Sequence, residues 1–105
     1  MNTVPNLHDA TLETLVLYWD EGMVQIKLST GVYGTDVVIL EATGVLRAIC
    51  PRVFPWGPSD SVNEAKLGRV SEGQLLSIEM QSGDVLEICC REVSIKQSEE
   101  AAAPA

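Results

Sequence analysis

At 105 residues the chain has the size of one domain. A hydrophobic content of 46% excludes a disordered chain and suffices for one core without metal or disulfide staples. The 15 acidic residues outnumber 7 basic ones, and the net charge of −8 argues against nucleic acid and anionic membrane surfaces as partners, because both would repel the chain.

A basic protein or a cation remains compatible with that charge, although solubility alone accounts for it more simply. No apolar run reaches the roughly 20 residues that a membrane span needs. The opening MNTVPNLHDA lacks a basic n-region and an apolar h-region, so no signal peptide is expected. Three cysteines, two of them adjacent, do not make a disulfide framework. These features together predict a cytoplasmic, reducing setting.

Residues 1–11 read as a leading segment in which Pro5 blocks regular pairing and Leu7 docks on the core. Period-two alternation follows. Leu15, Leu17 and Trp19 share one face, and Val16 and Tyr18 the other. Val24, Ile26 and Leu28 alternate with polar residues beyond the turn Asp20-Glu21-Gly22. This predicts a hairpin with strands near 13–19 and 23–29. Residues 30–36 form a loop with Gly31 and Gly34, and the β-branched run Val37–Ala42 is a strand. Thr43-Gly44 turns the chain into a strand over Val45–Cys50. A helix over Val37–Ile49 is the competing reading, disfavoured by Gly44 and by the β-branched side chains.

The stretch Arg52–Asn63, RVFPWGPSDSVN, stands apart, with prolines at Pro51, Pro55 and Pro58 and the rings of Phe54 and Trp56. It is too proline-rich for an interior strand or helix. The expectation is a rigid surface segment whose rings cover one edge or end of a sheet. Ser61 and Glu64 have capping-box spacing, so Val62–Leu67 is either one helical turn or an irregular edge strand, ended by Gly68. Gln74–Gln81 is a strand, and Ser82-Gly83-Asp84 is a second hairpin turn. Val85–Lys96 is the last and longest strand. Its alternation changes phase between Leu86, Ile88, Cys90 and Val93, Ile95, which predicts a bulge or bend at Arg91-Glu92. Residues 1–96 thus make a single β domain and 97–105 a mobile tail. Without Glu99 and Glu100 the body is still acidic. The fold class expected is all-β, with at most one short helical turn, an antiparallel sheet curled into a sandwich or half-barrel.

Few residues offer chemistry. His8 beside Asp9 has the makings of a general base or a metal ligand, but no second histidine completes a site. The structural reading makes Asp9 an Asx-turn or cap acceptor before the first strand. Cys89 and Cys90 point to opposite faces of a strand and cannot readily share a metal; at least one is a small core residue. Asp20, Glu21, Asp84 and Glu87 sit on or beside the two hairpin tips. If both tips lie at one end, they make a negative rim that steers a basic partner or weakly holds a divalent ion; solvated turns are the simpler account. Phe54 and Trp56, with Tyr18, Trp19 and Tyr33, serve either as interface anchors or as a lid over the core. The lid is preferred because a core otherwise built of Val, Ile and Leu needs their volume. Arg52 and Ser59 would order the loop by bonding its backbone. No P-loop, Rossmann fingerprint, G-x-S-x-G, H-E-x-x-H or C-x-x-C motif occurs.

The opening LHDATLETLVLYW and the loop PWGPSDSVN are similar to stretches of small bacterial β-domains of uncharacterised function, several grouped with immunity proteins of contact-dependent and polymorphic toxin systems. The likeness touches about a quarter of the chain. It implies a cytoplasmic all-β or mixed β domain without enzymatic activity, and it carries over no functional residue. His8, Asp9, Arg52, Ser59 and Asn63 are expected to be structural. Phe54, Trp56, Asp20, Glu21, Asp84 and Glu87 are the candidate partner-binding set.

The function expected is non-enzymatic protein binding, immunity-like, directed at a basic partner, with no cofactor and no metal. Two alternatives stand beside it. One is a self-associating structural domain whose strand 85–96 pairs across a homodimer edge. The other is a small-molecule pocket inside the curved sheet.

Overall fold

Strict alternation decides the architecture. The computed structural model describes residues 4–31 and 36–98, and among these there is no helix. Eight strands form: β1 (Thr11–Tyr18), β2 (Met23–Thr30), β3 (Asp36–Thr43), β4 (Arg47–Ile49), β5 (Val62–Val70), β6 (Gly73–Met80), β7 (Val85–Cys90) and β8 (Glu92–Ser98). They build two four-stranded antiparallel sheets, in the orders β1-β2-β3-β8 and β4-β7-β6-β5. The chain is an all-β sandwich.

The two inner faces make the core. Val24, Ile26 and Leu28 of β2 stand opposite Ala42, Leu40 and Val38 of β3 in register, and all are buried. Leu76, Ile78 and Met80 of β6 and Leu86, Ile88 and Cys90 of β7 fill the facing side. Each such aliphatic side chain contributes about 1.5–3 kcal/mol when fully withdrawn from water. Leu7 docks into this core at 2% exposure, as the leading segment predicts.

The final apolar run divides. The predicted single strand over 85–96 is two strands in different sheets, with Arg91 as the crossing point. Alternation changes phase there because β7 and β8 present their inner side chains to one core from opposite sides. A bend was the right expectation; continued pairing through a bulge was not. The crossing is tight. The Arg91 amide donates to the Thr43 carbonyl at 3.0 Å. A Cβ on Gly44 would lie 2.8–2.9 Å from the Arg91 side chain, and a Cβ on Gly73 would collide with the Cys90 carbonyl oxygen. Both glycines also hold positive φ, 63° and 148°.

Other boundaries also differ from expectation. Of the two readings of the stretch after Ser61 the irregular edge strand forms, with a register shift between Val62 and Glu64, but it does not stop at Gly68; it runs to Val70 and hairpins into β6. Gly68 has open space around its Cα and takes an ordinary place opposite Leu75. The strand expected over Val45–Cys50 shortens to three residues, and Trp19 falls into the turn where Gly22 donates to its carbonyl at 3.2 Å. Gln97 and Ser98 pair with Val38 and Val37, so the expected tail boundary at 97 falls inside β8. Tyr33, Gly34 and tail residues 99–105 lie outside the described residues.

The two ends of the sandwich are distinct. At one lie the β1–β2 turn, Gly44 and Arg91, tied by the Val45 amide to the Gly22 carbonyl at 2.9 Å. At the other lie the β6–β7 turn, Leu7–Ala10 and Asp60–Val62. There Thr11 bridges to Ser61, and Gln81 donates to the Ser61 carbonyl at 2.8 Å. The two hairpin tips therefore sit at opposite ends, and no single acidic rim forms.

Two substitutions probe this account. Ile78→Ala removes a fully buried side chain and lowers unfolding stability by about 2–5 kcal/mol in denaturant titration. Gly73→Ala adds one methyl group and no polarity, yet costs more than about 1 kcal/mol by the same measurement, because neither its φ nor the Cys90 carbonyl accommodates a Cβ.

Candidate functional site

The proline-aromatic stretch is held by one carboxylate. Asp84, 4% exposed, accepts the Val53 amide on Oδ1 at 2.9 Å and the Phe54 amide on Oδ2 at 3.1 Å. The Ser82 hydroxyl lies 2.9 Å from Asp84 Oδ2 and 2.9 Å from the Ser59 hydroxyl. The Trp56 amide donates to the Ser82 carbonyl at 2.8 Å, and the indole rests against Gly83. Phe54, at φ 57°, takes a left-handed conformation that a phenylalanine rarely adopts, and these bonds hold it there. The Arg52 guanidinium stacks 4.6 Å from the centre of the Phe54 ring.

Asp84 is thus a buried acceptor at the base of the loop and not a partner-binding residue of an exposed rim. Glu87 is half-buried in mid-strand, paired in register with Ile49 and Ser77. Only Asp20 and Glu21 stand exposed at a tip. Arg52 and Ser59 do help to order the loop, but through a ring and a hydroxyl; the backbone bonds come from Asp84 and Ser82.

Burial pushes the Asp84 pKa up, and the Val53 amide, the Ser59 and Ser82 hydroxyls and the Phe54 amide together outweigh this and hold it below the ordinary aspartate value.

The His8-Asp9 pair is a strut. The His8 ring Nδ1 lies 2.9 Å from the Asn63 carbonyl, and Gln81 Nε2 donates to Asp9 Oδ1 at 2.5 Å. The Asx turn predicted for Asp9 is made by Asn6, whose Oδ1 accepts the His8 amide at 3.1 Å. Asn63 also donates to Glu79 at 3.2 Å. His8, Asp9 and Asn63 therefore pin the leading segment to β5 and β6. Cys89 and Cys90 are buried, Cys50 is exposed, and desolvation pushes the Cys50 and Cys90 thiols up, away from thiolate chemistry. Among the described residues no three His, Cys, Asp or Glu side chains converge as a metal set.

Among the described residues, neither tryptophan forms the expected lid. Trp56 is 81% exposed and Trp19 83%, and the aliphatic side chains fill the core without them. Beside them lies an apolar side that the sequence reading passed over. The β1 side chains Leu12, Leu15 and Leu17 stand opposite buried Leu28, Ile26 and Val24, yet are only partly covered. The other sheet ends there on short β4, whose three residues are all exposed. A groove of about 420 Å³ opens between β1 and the chain following β4, with Leu12 and Leu15 on one wall, Pro51 and Arg52 on the other, and Met80 and Leu86 at its base. A separate recess of about 260 Å³ is lined by Leu17, Trp19 and Leu46. Ile49 and Val53 are also exposed, and Val16 and Tyr18 are exposed on the other face of β1. The signal available in the sequence was LVLYW, an apolar run with no polar residue at the outward positions of a period-two strand.

The outer sheet faces are internally satisfied by comparison. Gln25 donates to Glu41 at 2.9 Å and Lys96 lies 3.5 Å from the same carboxylate. On the opposite sheet Lys66 lies 3.8 Å from Glu64.

Comparison with known proteins bears on the fold alone. No protein-family model matches the chain, and no curated protein matches it. The structure is similar to that of an uncharacterized protein from Neisseria gonorrhoeae, with a TM-score of 0.67 at 10% identity over 90% of this chain and 95% of that one. The sandwich is therefore an architecture also seen in a solved protein of nearly unrelated sequence.

Acid tests the Asp84 clasp. Because its folded pKa is lowered, the stability it contributes is fully present above the ordinary aspartate value of about 3.9 and is lost as pH falls through the folded value. Amide exchange at Val53 and Phe54 is expected to stay slow at neutral pH and to lose protection below about pH 4. In Asp84→Asn that protection is already reduced at neutral pH, and the acid step is absent.

Proposed function

We propose that the chain is a non-enzymatic binding domain that covers and neutralises a basic protein, in the manner of immunity proteins. The observation that carries this reading is the set of exposed apolar residues on β1, β4 and the 51–56 loop of a chain of net charge −8. Exposed aromatics beside prolines are suited to anchoring an interface, since they lose little conformational freedom on binding. The charge excess steers an oppositely charged partner toward the surface and disfavours acidic competitors. The likeness of LHDATLETLVLYW and PWGPSDSVN to immunity-type domains supports the same reading. Free Cys50, Cys89 and Cys90 support a reducing compartment as its setting.

The self-associating alternative keeps part of its original strand: residues 85–90 lie between β4 and β6 and offer no open edge, whereas 92–96 fall in β8, an open edge that carries Glu92 and Lys96. A pocket within the curved sheet is also less favoured, because side chains fill the space between the sheets and the concavity lies at their side.

Native mass spectrometry of the chain drawn gently from its own host at low salt is expected to show a complex with a basic protein. Its affinity should fall with added salt, and Trp56→Ala should weaken it by about 2 kcal/mol or more. A bare chain at every ionic strength overturns the reading.

A further inference from the structure

The open edge of β1 differs from the other open edges of the sandwich. β5 carries Glu64, Lys66 and Arg69, β8 carries Glu92 and Lys96, and β4 is three residues long and runs into Pro51. Charge, proline and shortness are the devices that keep a sheet edge from pairing with another chain. From Leu15 to Tyr18, β1 has none of them. The irregularity in its ladder lies between Leu12 and Thr14, so the four residues Leu15, Val16, Leu17 and Tyr18 keep regular register with β2. The backbone hydrogen bonds that reach β1 from beyond β2 lie at its first residues, where Thr11 bridges to Ser61 and the Leu12 amide donates to the Asp60 carbonyl at 2.8 Å.

We propose that Leu15–Tyr18 takes up an extended segment of a basic protein as an added strand, with alternate side chains of that segment entering the groove between β1 and the chain after β4. This rests on the protein-binding reading and specifies its mode. Main-chain hydrogen bonds to the edge supply affinity, and the groove selects apolar residues at every second position. Charge decides between this occupant and a second copy. Antiparallel pairing of Leu15–Tyr18 with its own copy sets Asp20 of one chain opposite Glu13 of the other, a like-charge contact repeated by symmetry between two chains of net charge −8. A strand that carries lysine or arginine among its apolar residues turns Asp20, and Glu13 and Asp60 at the groove, into attractions. Glu13 remains available for this, since its contact with Lys27 is a loose 3.9 Å between partly exposed groups.

The test titrates the isotope-labelled full chain at low salt with a peptide of about twelve residues alternating valine and lysine. Amides of Leu15–Tyr18 are expected to shift and to gain protection from exchange. The same peptide with every second backbone amide N-methylated keeps its charge but loses ladder donors, and should bind about tenfold more weakly or worse. Val16→Lys replaces a side chain already 39% exposed, so the fold is retained while the edge is blocked, and binding should fall to the same degree. Equal binding of the methylated peptide, shifts centred on the 51–56 loop, no binding, or a dimer joined through β1 each overturns the proposal. The two readings fail separately. A host complex that survives Val16→Lys but not Trp56→Ala ends the added-strand mode and leaves the binding domain standing, whereas the absence of any host complex ends the binding reading itself.

Discussion

The structure depends on the passage of the chain from one sheet to the other at Arg91. This single residue lets one continuous apolar run serve two layers. Leu86, Ile88 and Cys90 complete the inner face of the β4-β7-β6-β5 sheet, and Val93 and Ile95 that of the β1-β2-β3-β8 sheet. A strand that continued straight would present one of those sets to solvent, because side chains alternate along it. The passage needs two backbones to approach without side chains between them, which Gly44 and Gly73 permit. Glycine at these positions follows from contact as much as from conformation.

At the opposite end a polar device does comparable work. Asp84 turns the tip of a hairpin into a socket for the Val53 and Phe54 amides, while His8, Asp9 and Gln81 fasten the leading segment nearby. The 51–58 segment can then carry large rings into solvent without relying on them for its shape. Its position fixes one wall of the groove beside β1, and so the buried carboxylate and the exposed apolar side belong to one arrangement.

Much of the fold was legible in the sequence because alternation and turn chemistry report the same thing. Both predicted hairpins formed, and Leu7 docked as expected. Alternation also registered the phase change near Arg91, but periodicity cannot distinguish a bulge within one sheet from a move between two, since each reverses the parity. Gly68 misled for a different reason. Glycine is taken as punctuation, whereas in β5 it occupies a plain ladder position. The site was less legible. Asp84 in Ser-Gly-Asp looks like any solvated turn residue, and only the fold shows the loop amides that bury it. Volume argues for Trp19 and Trp56 as a lid over the core, an argument that fails when aliphatic side chains alone close it. Alternation puts Leu17 on one face with Leu15, but it says nothing about whether the opposite sheet is wide enough to cover that face.

The pairing of β3 with β8 has a consequence for how the chain is made. Val37 to Thr43 are matched by residues 92–98, so the first sheet lacks its fourth strand until more than half of the remaining chain has been synthesised. The β1–β2–β3 meander emerges from the ribosome early, with the β3 edge open and its inner side chains uncovered. The second sheet, whose β5–β6–β7 strands are consecutive, can assemble locally, but it too waits on β8 for the layers to lock. Folding of this kind is dominated by late, distant pairing, which is slow and leaves apolar strands exposed in the interval.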